Sequence, residues 1–522
     1  MVTTPTRQAE PNLPTLGPVG WMRWAWRSLT SMRTALLLLL MLAIAAVPGS
    51  IFPQRGVDPT KVAEFIADNP TTSRWLDRLG FFDVYSSPWF SAIYLLLFIS
   101  LIGCVIPRTR VHLAAMRARP PRTPARLERL PAYVERGTDL VPQEVSSRAV
   151  QVLRRRRYRV DLRADGSVSA ERGYLRETGN LLFHVALLGL LFALAASSLF
   201  SYRGQAIITQ GQGFANVVSQ YDSIDLGAGV DDNDLQPFRL TLDGLTARFE
   251  TAAGGNQFAA ARDFEATVTV VERPGAEPRH EVIKVNHPLD IDGASVYLQG
   301  NGYAPIITVR DGTGRVVSSG PVVFLAQDAM YTSTGVVKVP DMSPQLGLQG
   351  VFLPSMDVRN GQAVSVFPDQ LNPRLLLNVW TGDLGLDQGA PQSVYRLDTD
   401  ALTQLQQDGR PYTAMLAPGD SVTLPDGLGS VTLERVDRFA ALQFRTDPAR
   451  GWALGFAALA MLGLATSLFV PRRRVWVRPV GGQGRTLIQV AALARSDDPR
   501  LGAEVDEVMA GVAGHDDDER VT

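Results

Sequence analysis

The segment Gly179 to Phe200, GNLLFHVALLGLLFALAASSLF, decides how this chain folds. A helix rises 1.5 Å per residue, so about 20 apolar residues cross the hydrocarbon core of a bilayer, and this stretch is long enough. His184 stands near its start. An ionisable side chain inside a spanning helix is costly, which makes it a functional candidate by default. At about 100° per residue, His184 shares a helix face with Leu188, Leu191 and Ala195. Ala186, Gly189, Ala193 and Ala196 form a stripe of small residues on roughly the opposite side, where a second helix can approach closely. Two readings of the histidine are open at this point. It is a ligand for a metal or haem iron, or it is a hydrogen-bonding residue of helix packing.

The averages of the whole chain conceal this organisation. With 522 residues, net charge −1 and mean hydropathy near zero, it has the profile of a soluble protein of several domains. That mean arises from very apolar helices and very polar regions. Cys104 is the one cysteine, which excludes a disulfide framework, a C-x-x-C redox pair and a C-x-x-C-H haem-attachment motif within the chain.

Working outward, residues 107–179 hold seventeen arginines against eight acidic residues, including the run Arg154 to Arg157. Positive charge between two spans fixes a loop in the cytoplasm. The run is read as a topology signal with anionic-lipid contact, and nucleic acid is not an expected partner. Within this loop, Gln143 to Leu153 has helical periodicity, and Tyr158 to Leu162 and Ser167 to Glu171 flank Ala164-Asp165-Gly166 as a hairpin. Upstream, Thr34 to Ile51 and Trp89 to Ile106 form two further spans. The first follows a lead-in rich in Trp and Arg that marks a cytoplasmic interfacial anchor. Ala43-Ile44-Ala45 resembles a signal-peptidase site, but the polar lead-in is over-long and three more spans follow. Ser87-Pro88 caps the second span and Pro107 is expected to stop it. Between the spans, Asp58-Pro59 and Thr72-Ser73 open short surface helices.

Downstream, residues 201–451 alternate polar and apolar, as in Arg239-Leu240-Thr241-Leu242 and Ala266-Thr267-Val268-Thr269-Val270, with turns such as Asp311-Gly312-Thr313-Gly314. This pattern predicts an all-β domain, as one large sandwich or two lobes. Its acidic balance places it outside the membrane. Trp452 to Val470 is the fourth span, followed by Pro471 and Arg472-Arg473-Arg474.

The expected architecture is an integral membrane protein with four transmembrane α-helices. It has a cytoplasmic start (1–33), a first span (34–52), an outer loop (53–88) and a second span (89–106). A basic cytoplasmic loop with a small αββ unit (107–179), a third span (180–200), a large extracytoplasmic all-β domain (201–451) and a fourth span (452–470) follow. The tail (471–522) is cytoplasmic and partly disordered, with an acidic end around Asp516, Asp517 and Asp518. Both termini are expected on the cytoplasmic side of the cell membrane.

No constellation for catalysis stands out. The stretch Gly481-Gly482-Gln483-Gly484-Arg485-Thr486 lacks the spacing and lysine of a P-loop, and Lys284 stands where a zincin would place its second histidine after His280-Glu281. His280 and His287 are seven apart, on opposite faces if one strand continues between them, and are read as surface or loop residues. His112 and His515 fall in polar cytoplasmic segments and read as solvated.

Several stretches together resemble a known family. They are Trp26-Arg27-Ser28-Leu29-Thr30-Ser31-Met32-Arg33-Thr34-Ala35-Leu36, Pro48-Gly49-Ser50 with Pro53-Gln54, and Gly179-Asn180-Leu181-Leu182-Phe183-His184. Val285-Asn286-His287-Pro288-Leu289 with Tyr297, and Asp447-Pro448 before the last span, complete the set. These are similar to the ResB (CcsB) family of cytochrome c biogenesis proteins, over nearly the whole chain. The resemblance implies a component of the System II cytochrome c synthetase, a haem lyase complex. In it, a polytopic partner of the ResC (CcsA) type joins this chain in moving haem outward and presenting it to apocytochrome c. The partner carries the tryptophan-rich haem-handling motif, which this chain lacks, so catalysis by this chain alone is not expected. The resemblance also implies that His184 is a transmembrane haem ligand, with Arg172 and Arg176 below it as candidates for the propionates. A membrane-tethered scaffold for apocytochrome that binds no haem, and an envelope sensor, are the competing classes.

Overall fold

The computed structural model describes residues 17–252, 257–386, 396–482, 485–495 and 497–514. The chain divides into two compact units, Met1–Ala195 with Ala449–Thr522, and Ala196–Pro448.

The first unit holds the helices. After α1 (Pro18–Leu29), Ser31 caps α2 (Met32–Ile51) by accepting the Thr34 N–H at 3.2 Å. Asp58 caps α3 (Pro59–Asp68) through the Lys61 N–H, and α4 (Pro70–Arg78) follows at once. Ser87 and Pro88 open α5, Pro88–Arg117, as the capping rules require. α6 is Pro142–Arg155, α7 is Leu175–Phe200, α8 is Arg450–Phe469 and α9 is Leu501–Ala513. Four of these, α2, α5, α7 and α8, are long and apolar enough to cross a membrane.

Pro107 does not stop α5. The helix runs on to Arg117, and Thr109 Oγ1 donates to the Val105 carbonyl at 2.9 Å, supplying a hydrogen bond in the turn that the proline weakens. At 30 residues α5 measures about 45 Å, longer than a hydrocarbon core of about 30 Å, so its last turns extend beyond the apolar layer.

Small residues set how the helices pack. A Cβ on Gly103 would lie 2.0 Å from Thr30 Cγ2, and Ser100 Oγ donates to the Leu29 carbonyl at 2.6 Å, so the link between α1 and α2 lies directly on α5. On α7 the small-residue stripe is buried at Ala186 and Ala193, and it faces α8. A Cβ on Gly179 would meet the Gly463 carbonyl at 2.7 Å, and one on Gly189 would meet Phe456 at 2.4 Å.

The same unit contains an α/β domain larger than the expected αββ unit. Its antiparallel five-stranded sheet runs in the order Ala132–Thr138, Arg485–Ala494, Arg473–Gly482, Val168–Arg172, Arg159–Leu162. The helix α6 and the hairpin appear as expected, but half the core comes from the tail. Val145, Ala149 and Leu153 of α6 pack with Val475, Val477, Ile488 and Val490 of the tail hairpin and with Val505, Val508 and Val512 of α9. Trp476 is covered on the other face by Leu127. Two strands and a helix bury too little to stand alone, which is why the tail strands and α9 complete the domain. The acidic end around Asp516, Asp517 and Asp518 lies outside the described residues.

The second unit is β-rich, lies between α7 and α8, and has two hydrophobic cores. Strands Ala294–Arg310 and Ser430–Thr446 pair antiparallel from one core to the other. Val296, Leu442 and Phe444 point into the first core, and Ile307, Val309, Val431 and Leu433 into the second. At the middle of this spine the Arg438 guanidinium lies 4.7 Å over the Tyr303 ring and 2.6 Å from Asp369.

Candidate functional site

His184 lies in the third turn of α7, half-buried, with its Nδ1 2.7 Å from the Asn180 carbonyl one turn earlier. A carbonyl only accepts, so Nδ1 carries the proton, and the neutral tautomer that makes this bond has its lone pair on Nε2. Among the described residues Nε2 has no hydrogen-bond partner. The Phe183 ring stands edge-on at 5.3 Å. Because the small-residue stripe faces α8, His184 sits on the side of α7 turned away from it.

Helix α5 touches α7 at two levels. Tyr94 donates its hydroxyl to the Leu191 carbonyl, and His112 Nε2 lies 3.0 Å from Thr178 Oγ1. His184 is between them, six residues or about 9 Å from Thr178 and seven residues or about 10 Å from Leu191 along the helix. The imidazole is therefore bracketed by two polar contacts to a neighbouring span while its own Nε2 stays available.

His112 is not solvated as its sequence context suggested. It is 6% exposed, on the part of α5 that continues past Pro107, and its Nδ1 is buried without a partner. The extension of the helix carried it out of a supposed loop and against the base of α7.

Arg172 ends the strand Val168–Arg172, with its guanidinium 3.0 Å from Glu504 and 4.7 Å over the Tyr158 ring. It points into the α/β domain. Arg176 lies in the first turn of α7, eight residues or about 12 Å along the axis from His184. The two arginines are thus not brought together.

A dense ionic network surrounds the base of α7. Arg472 lies 2.6 Å from Glu171 and 2.7 Å from Glu177, and Arg474 reaches Glu171 at 2.9 Å. Tyr174 donates to Glu171 at 2.8 Å. Burial pushes the Glu171 carboxyl up, but hydrogen bonds from Tyr174, Arg474 and Arg472 outweigh it and hold the group below the usual carboxylate range. Arg473 is clamped between Asp498 at 2.6 Å and Glu504 at 2.5 Å, and its hydrogen bonds hold Asp498 low as well. These are structural pairs inside the domain. The pairs of Arg472 and Arg474 with Glu171 gave no signal in the sequence because their partners lie 301 and 303 positions apart.

His280 is exposed on strand Arg279–Lys284, its Nδ1 2.9 Å from Thr269 Oγ1. That strand ends before His287, which follows a turn closed by paired backbone bonds between Lys284 and His287 with Asn286 at φ 63°. Among the described residues no group of three or more His, Cys, Asp or Glu is placed to hold a metal ion. His515 lies outside the described residues.

Four spans, a β-rich domain between the third and fourth, and a lone imidazole with an available nitrogen on the third define a multi-pass membrane protein. The chain belongs to the ResB-like family, whose profile matches residues 32–506. It is similar to the cytochrome c biogenesis protein CcsB of Synechococcus sp. (strain WH7803), 27% identical over 462 residues that cover 86% of this chain and 89% of that protein. It is also 25% identical to CcsB of Synechococcus elongatus over 469 residues, 88% of this chain and 87% of that one.

Proposed function

We propose that this chain serves cytochrome c biogenesis by handling haem within the membrane, with haem as cargo and His184 as one axial ligand. The observation that carries the proposal is the hydrogen bond from His184 Nδ1 to the Asn180 carbonyl, which orients the ring and leaves Nε2 as a ligand. It also speaks against the packing alternative, because the bond stays within α7. Membership of the ResB-like family and the names of the relatives support the haem pathway.

The second ligand is proposed to come from a polytopic partner of the ResC (CcsA) type, since His112, on α5, is engaged with Thr178. Arg176 is the better placed candidate for a propionate, because it lies on the helix that carries His184 while Arg172 points into the α/β domain. The basic α/β domain is proposed to lie in the cytoplasm and the acidic β-rich domain outside, where it meets apocytochrome c.

Spectroscopy of the purified complex tests the ligand role. His184→Ala leaves the protein inserted, lowers its haem content several-fold, and exogenous imidazole partly restores the absorption spectrum. Wild-type haem content with an unchanged spectrum would refute the assignment. Phosphatase fusions near Ser318 and after Arg163 test the topology, activity being expected at the first and absent at the second.

A further inference from the structure

We propose that α1, together with the adjoining turns of α2 and α5, is a binding site for anionic phospholipid headgroups. The chemistry on this surface is one-sided. Arg23 and Arg27 on α1, Arg33 on α2, and Arg108 and Arg110 on α5 are all exposed. Among the described residues none of the five is ion-paired. The sequence supplies no carboxylate nearby, with no Asp or Glu in residues 17–57 or in 88–127. Within the α/β domain of the same unit, by contrast, buried arginines are answered by acids, as in the Arg472 and Arg473 clusters.

The surface is built at a fixed depth. Cys104 Sγ donates to the Thr30 carbonyl at 3.0 Å, Ser100 Oγ to Leu29, and Gly103 admits the Thr30 side chain. The apolar run of α5 ends at Ile106, so this junction lies within a turn of the hydrocarbon boundary. Arg108 is one turn past Cys104 and places its Nη2 2.6 Å from Met32 Sδ, next to Arg33. No residue of α1 is buried, and Trp21, Trp24 and Trp26 are each more than half exposed. Tryptophan with arginine at this depth is the composition of a helix lying in the headgroup layer. On α1 a shallow hollow of about 370 Å³ is lined by Val19, Met22, Arg23, Trp26 and Arg27, with arginines for phosphate and apolar groups for acyl chains.

The occupant is a lipid with net negative charge, because a zwitterionic headgroup would leave the five cations unbalanced. The test uses the full-length protein in nanodiscs of equal phosphatidylglycerol and phosphatidylcholine, with bound lipid read by native mass spectrometry. Wild type retains phosphatidylglycerol in excess, and 0.5 M salt reduces the excess. Arg23→Gln, Arg27→Gln and Arg108→Gln each lower it by up to about fivefold, and the triple variant approaches the bulk ratio. A control variant, Arg315→Gln with Arg359→Gln, exposed arginines of the β-rich unit, keeps the wild-type excess. Should wild type retain the two lipids in bulk ratio, the proposal fails and the surface is left for an acidic protein segment. Wild-type enrichment in the triple variant, or its equal loss in the control, would also overturn it. If the triple variant does not fold, the single variants and the salt series decide.

Discussion

His112 holds a buried imidazole with one nitrogen paired and the other not. Leaving a buried polar group without a partner costs about 1–3 kcal/mol, whereas removing both partners of a bond is often close to neutral. Thr178→Val therefore destabilises the protein by about 1–3 kcal/mol, because it strands the second nitrogen too. His112→Leu combined with Thr178→Val recovers most of that loss, as thermal unfolding in detergent will show. Haem content stays unchanged in both, since His184 is untouched. The two histidines also show what a sequence reveals at this scale. His184 is legible because a lone ionisable group interrupts an apolar run. His112 is not, because its burial depends on α5 continuing through a proline, and on a threonine 66 positions later. Arg172 likewise sits near His184 in sequence, yet its strand turns it towards Glu504.

Helix packing sets the next level, and glycine positions decide it. A Cβ on Gly463 would lie 2.6 Å from the Phe183 backbone nitrogen, and backbone cannot step aside as a side chain can. Gly463→Leu pushes α7 and α8 apart and costs about 1–3 kcal/mol or more. Gly455, on the same helix, has nothing within 4 Å, so Gly455→Ala stays within about 0.5 kcal/mol of wild type. Unfolding midpoints of the two variants make the comparison. Elements with their own caps, such as α3 behind Asp58-Pro59 and α5 behind Ser87-Pro88, were legible from local chemistry alone. The tail strands were not. Arg473 to Val477 reads as a charged membrane flank until its hairpin partner Arg485–Ala494 and the distant strand Val168–Arg172 give its alternate residues a core to enter.

At the scale of the whole molecule, the α/β domain rests on a network joining both ends of the chain. Arg473→Met breaks a buried pair of carboxylate contacts and costs about 3–5 kcal/mol. Acid acts on the same network. Glu171 and Asp498 are held below their ordinary values, so their contribution is fully present above the unfolded pKa and is lost as pH falls through the folded one. Hydrogen exchange in Val168–Arg172 and Arg473–Gly482, corrected for intrinsic rates, stays slow down to roughly pH 4 and accelerates below it. Exchange that instead accelerates between pH 6 and 5 would assign the transition to other groups.

The pairing of Arg172 with Arg473 has a consequence in time. These neighbours in one sheet are 301 positions apart, and everything between them is the two spans and the β-rich domain they enclose. At roughly 5–20 residues per second, the ribosome needs about 15–60 s to pass from the first strand to the second. During that interval α6 and its hairpin exist without a complete core, exposing Val145, Leu153 and Ala170. The sheet closes only when the tail hairpin, Arg473–Gly482 with Arg485–Ala494, has emerged. Its closure marks a chain whose four spanning helices and β-rich domain have all been made, so a premature stop between Arg172 and Arg473 leaves an open, protease-accessible base.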